Sequence, residues 1–130
     1  MLTGGELRKT FKTDVDHCCQ VVEVAVYPPT DNAADVELGD FTLHVVGQEI
    51  GSKPSTPKVV AWRSSRDSDR LRPTLIQAME RELLERALPL GNTTTPVSGY
   101  LYFEFAPKVK NAKYQLEYMA NGNKLVLPLN

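Results

Sequence analysis

The stretch Val97-Ser98-Gly99-Tyr100-Leu101-Tyr102-Phe103-Glu104-Phe105 decides the fold class. Leu101, Phe103 and Phe105 fall at period two and Tyr100, Tyr102 and Glu104 take the opposite phase, the pattern of a β-strand with one face in a core. Two further strands are expected after it, over residues 114–119 and 124–129, each behind a turn-rich gap. Asn121-Gly122 between them is a two-residue hairpin signal. Residues 97–105 are therefore expected to form the centre of an antiparallel sheet.

Working outward from that strand, the period changes upstream. Over residues 74–88, Leu75, Ile76, Met79, Leu83, Ala87 and Leu88 share one face of a helix, and Gln77, Glu80, Arg81, Glu85 and Arg86 take the other. Pro73 suits its first turn, while Pro89 and Gly91 stop it. Residues 64–72 are strongly polar, 59–62 read as one more short strand, and Gly47, Gly51, Pro54 and Pro57 mark a loop. Residues 36–46 form an extended segment with Phe41, Leu43 and Val45 in one phase and Thr42 and His44 in the other. Val22, Val24 and Val26 alternate with Glu23, Ala25 and Tyr27 in a strand that Pro28-Pro29 ends. Residues 1–16 are polar, with Leu7 and Phe11 four apart, and fit either a short amphipathic turn or an edge strand. The expected core is Val22, Val24, Val26, Phe41, Leu43, Leu101, Phe103, Phe105, Leu116 and Leu127, lying between two sheets.

At 130 residues the chain fits one domain over 1–130, long enough to bury roughly two-thirds of its unfolded surface. Its 42% hydrophobic and 24% charged residues belong with packed globular domains rather than disordered or membrane chains. The net charge of -1, from 15 basic and 16 acidic residues scattered along the chain, leaves no electrostatic footprint for nucleic acid or anionic lipid. No apolar run approaches the roughly 20 residues of a spanning helix, and the first eleven residues lack the apolar centre of a secretory leader. Cys18 and Cys19 are the only cysteines, and neighbours in sequence seldom bond because a disulfide prefers α-carbons about 4.4 to 6.8 Å apart.

The C-terminal pattern resembles a recurrent bacterial immunoglobulin-like, telokin-like domain. The residues that carry it are Gly91, then Val97-Ser98-Gly99-Tyr100-Leu101-Tyr102-Phe103, a bend at Pro107, Tyr114-Gln115-Leu116-Glu117-Tyr118 and Lys124-Leu125-Val126-Leu127. The 21–28 strand and Asp40-Phe41-Thr42-Leu43 extend the likeness. The resemblance implies an antiparallel β-sandwich of about seven strands, here with one α-helix inserted before the central C-terminal strand. It also implies an extracytoplasmic or lipid-anchored protein of the cell envelope, although this chain shows no leader or lipid-attachment cysteine in the usual context. The resemblance rests on core and turn positions, so it speaks to fold rather than to function.

Candidate chemistry is sparse. His17, Cys18 and Cys19, with His44, offer a soft ligand set for zinc, but structural zinc sites separate their ligands by two to four residues so that the side chains converge. Asp40, Asp67 and Asp69 follow no calcium-loop spacing, and no serine sits in a nucleophile elbow. No catalytic residue, metal or cofactor is predicted. Gly91 and Gly99 read as turn and packing positions. The remaining candidates form a recognition surface: Tyr100 and Tyr102 on the outward phase of the strand, Trp62, and the Leu75, Met79 and Leu83 stripe of the helix. The competing expectation is that the helix covers Tyr100 and Tyr102, making them a second core layer. The expected function is a non-catalytic protein-binding, adhesion or assembly module, its partner a second copy or another envelope protein. The rival is a metal-binding or enzymatic domain using His17, Cys18 and Cys19.

Overall fold

A computed structural model describes residues 1–13, 15, 18–29, 32–48, 51–64, 73–104, 112–120 and 122–129. In chain order the described elements are α1 (Gly4–Thr10), β1 (Gln20–Val26), β2 (Ala34–Val36), a 3-10 turn (Leu38–Asp40), β3 (Phe41–Val45), α2 (Pro57–Ser64), α3 (Pro73–Arg86), β4 (Gly91–Thr93), β5 (Val97–Phe103), β6 (Tyr114–Ala120) and β7 (Asn123–Leu129). The protein is mainly β, and every strand pair among the named strands is antiparallel.

The decisive stretch is a strand, β5, but its partner differs from the expectation. It pairs with β1 along its whole length, from Val26↔Val97 to Gln20↔Phe103. The last two strands form the expected hairpin, turned at Gly122 with φ 79°, and join β3 in the order β3-β6-β7. Alternation along a strand tells which face is apolar but not which strand lies beside it, so β5 is not the centre of the C-terminal sheet. The extended segment over 36–46 is likewise divided, with the 3-10 turn separating β2 from β3.

β1 and β5 alternate between two cores. Val22, Leu101 and Phe103 point to one side, where they pack with Phe41, Leu43 and Val45 of β3 and Tyr114 and Leu116 of β6. Val24 and Val26 are only partly buried against this cluster, and Leu127 is 42% exposed, so neither the full valine row nor Leu127 is interior as expected. Phe105, the Pro107 bend and the 108–111 connection lie outside the described residues, as do Asp67, Asp69 and the polar 65–72 segment.

On the other side Val21 and Tyr102 pack with Leu7, Phe11, Val15, Cys19, Val60, Ala61 and Leu83, a second core formed by the N-terminal segment and α2 and α3. One of these helices, α2, departs from expectation, and α1 decides between the two readings of the N-terminal segment in favour of the helical one. The 59–62 segment is part of α2, not a strand: Thr56 accepts from the Val59 and Val60 amides ahead of Pro57, and this start signal outweighs the β-propensity of Val59-Val60. Residues 4–10 form α1, begun by a capping box in which the Thr3 hydroxyl accepts from the Glu6 amide at 3.2 Å and the Glu6 carboxylate from the Thr3 amide at 3.1 Å.

The helix expected over 74–88 is present as α3, Pro73–Arg86. Ile76, Met79, Leu83 and Ala87 face the second core, whereas Leu75, placed on the same stripe by the sequence pattern, is 46% exposed. Gly99 lets the chain beyond α3 lie directly on β5: a Cβ there would stand 2.5 Å from the Ala87 carbonyl carbon and the Leu88 nitrogen. The contact is closed by the Leu88 amide donating to the Tyr100 carbonyl at 3.0 Å.

Candidate functional site

Of the two expectations for Tyr100 and Tyr102, an outer recognition surface or a second core layer under the helix, the structure has the second. Tyr102 is buried, its hydroxyl donates to the Leu83 carbonyl at 2.8 Å, and burial pushes its pKa well up. Tyr100 is half-buried, with Phe11 edge-on at 5.2 Å between centroids, and its pKa is raised first by burial and then by Glu23. Leu83 is fully buried and Met79 partly so. Tyr102 and Leu83 are thus core residues rather than interaction residues, because α3 covers this face of β5. Trp62 and Leu75 do reach the surface, at 53% and 46% exposed.

The candidate metal ligands are not brought together. His17 lies outside the described residues. Cys18 and Cys19, expected not to bond, have their sulfurs in contact as a vicinal pair. They sit in a turn ahead of β1, with both amides donating to the Val15 carbonyl, and so escape the opposite-facing alternation of a strand. Cys19 belongs to the helical core, whereas His44 is on β3 and meets Glu117 at 3.1 Å. Lys124 reaches the same carboxylate at 3.2 Å. Burial works to raise the Glu117 pKa, but Lys124 and His44 prevail and lower it. Among the described residues no group of three or more His, Cys, Asp and Glu side chains is placed to hold a metal ion.

The surface that departs most from an ordinary folded exterior is β7. In cross-strand pairs the side chains share a face, so Leu125, Leu127 and Leu129 lie on the same side of the sheet as Tyr118, Leu116 and Tyr114. That is the core side. Leu116 is 2% exposed and its neighbour Leu127 is 42% exposed, so among the described residues the packing that closes over β6 stops short of β7. Leu125 is 54% exposed, and Val126 and Met119 add apolar surface on the opposite face. Beside the hairpin, a groove of about 910 Å³ runs between Val26 and Tyr27 at the end of β1 and Tyr118, Met119 and Leu125.

Among the described residues the outer edge of β7 meets no backbone partner, whereas β1, β3 and β5 each have at least one backbone hydrogen bond on theirs. Leu2 donates to the Val21 carbonyl of β1, Ser52 exchanges two hydrogen bonds with Leu43 of β3, and Ser55 and Leu88 donate to the Tyr102 and Tyr100 carbonyls of β5. Among the described residues nothing pairs with the outer side of β7. Sequence periodicity marks Leu125 and Leu127 as apolar, but it carries no signal of whether a face is covered. No helix among the described residues is long and apolar enough to cross a membrane. Comparison with protein families, curated proteins and solved structures finds no match for the chain.

Proposed function

We propose that the chain is a non-catalytic protein-binding, adhesion or assembly module on an immunoglobulin-like β-sandwich of about seven strands, working in the bacterial cell envelope. The sandwich is supported by two antiparallel sheets that share the Val22, Phe41, Leu101, Phe103 and Leu116 core. The immunoglobulin-like class and the extracytoplasmic setting rest on the resemblance of residues 91–127. The observation that carries the binding role is the exposed leucine row of β7 together with its edge, which is unpaired among the described residues, since contiguous exposed apolar surface beside an open strand edge suits docking of another chain.

The test is a photo-crosslinking amino acid at position 126 of the full chain, expressed in the cells it comes from, with metal analysis of untagged protein alongside. A crosslink from position 126 to protein is the expected result. Absence of any protein crosslink, or one equivalent of zinc lost on Cys18→Ser, would overturn the reading in favour of the metal-dependent alternative.

A further inference from the structure

We propose that β7 pairs antiparallel with the β7 of a second copy, centred on Val126, so that two copies close into a dimer with one continuous six-stranded sheet. The inference rests on the binding-module reading above and names its partner. The hairpin sets which backbone groups are available. A two-residue turn makes Ala120↔Asn123 the closing hydrogen-bonded pair, and bonded and non-bonded pairs alternate from there. Leu125, Leu127 and Leu129 therefore bond to β6, while Lys124, Val126 and Pro128 turn their backbone groups outward. Pro128 fits this phase, because an outward nitrogen is the one position where a strand proline forfeits no ladder bond.

An extended strand is the occupant that satisfies such an edge, and the sequence of β7 complements itself. Leu125-Val126-Leu127 reads the same in both directions. Pairing Val126 with Val126 of the second copy places Leu125 opposite Leu127 on the core side of both sheets, apolar against apolar. Lys124 then faces Pro128, so no charge opposes its like. Backbone bonds form in both directions at Val126, and each Lys124 amide donates to the Pro128 carbonyl across the join. The uncovered row becomes a four-leucine patch spanning the two copies. The contact is isologous, the same β7 edge of each copy meeting the other, so the pairing uses up both edges and closes at two copies.

Val126→Pro tests the inference by removing the central outward donor while leaving every β6–β7 bond in place. The wild-type chain is expected to sediment at twice its monomer mass, and Val126→Pro at the monomer mass with an unchanged circular dichroism spectrum, its dimer weakened about tenfold or more. Leu127→Lys, at an exposed side chain, is expected to have the same effect and serves if the proline variant does not fold. A wild-type chain that stays monomeric at about 100 μM, or a dimer that survives these substitutions, would overturn the pairing. A monomer whose position-126 crosslinker captures a different protein overturns the pairing alone and leaves the binding role standing. A monomer without crosslinks removes both.

Discussion

Glu82 joins the N-terminal segment to α3 through a single carboxylate. It accepts from the Lys12 amide at 2.7 Å, the Thr13 amide at 2.8 Å and the Thr13 hydroxyl at 2.7 Å, with Arg86 at 3.8 Å. Burial works to raise its pKa, but these hydrogen bonds and Arg86 outweigh burial and hold it below the ordinary 4.5. A carboxyl whose folded pKa is depressed stabilises the fold above its unfolded value and loses that contribution as pH falls through the folded one. Glu82→Gln is therefore expected to cost about 1 to 3 kcal/mol near neutral pH, and wild-type and variant melting temperatures should converge below pH 4.5. A gap that persists in acid would assign the loss to packing instead. At Gly99 the prediction is steric: Gly99→Ala pushes against Ala87 and Leu88 backbone, which cannot rotate away as a side chain can, and should cost at least about 1 to 3 kcal/mol in a denaturation midpoint. The packing role of Gly99 was legible from its place in an aromatic strand. The Glu82 clasp was not, because nothing in residues 12–13 announces a partner some seventy residues away.

At the scale of elements, legibility followed local signals. The period-two rows of β1, β3 and β5 and the helical spacing of Ile76, Met79 and Leu83 could be read because each repeats several times within one element. α2 runs against its local propensity, because Val59, Val60 and Trp62 favour strands while Thr56-Pro57 carries the helix start. α1 is less legible because Gly4 and Gly5 weaken a seven-residue helix, and its signal lies in the capping box at Thr3 and Glu6 rather than in its periodicity. The docking of α3 gives a prediction at this scale. Leu83 is fully buried and its carbonyl accepts the Tyr102 hydroxyl, so the helix packs on its own chain. Leu83→Asp places an unpaired carboxylate in that core and is expected to lose the cooperative thermal transition. Light scattering with circular dichroism checks this: a variant that stays folded and merely changes mass would mean that the α3 stripe serves an assembly.

At the scale of the whole molecule, β1 and β5 are the shared wall of both cores. Val21 and Tyr102 belong to the helical core, while Val22, Leu101 and Phe103, their immediate neighbours in sequence, belong to the core between the sheets. Such adjacent residues cannot leave one core and stay ordered in the other, because turning either strand out of its ladder removes side chains from both faces at once. Unfolding is therefore expected to be a single cooperative event despite two separate apolar clusters. Trp62, the only tryptophan, sits on α2 and reports on the helical layer, whereas far-ultraviolet circular dichroism reports on helices and sheets together. Their urea midpoints should coincide. Phe103→Ala provides the stronger form of the test, since it removes a fully buried ring from the core between the sheets, on the opposite side of β5 from α2. Its cost of about 3 to 5 kcal/mol should move the Trp62 fluorescence midpoint as far as the circular dichroism midpoint. If the Trp62 signal instead held its wild-type midpoint while the sheet signal fell, the helical layer would be a separate unit of stability, and β1 and β5 would not couple the two cores.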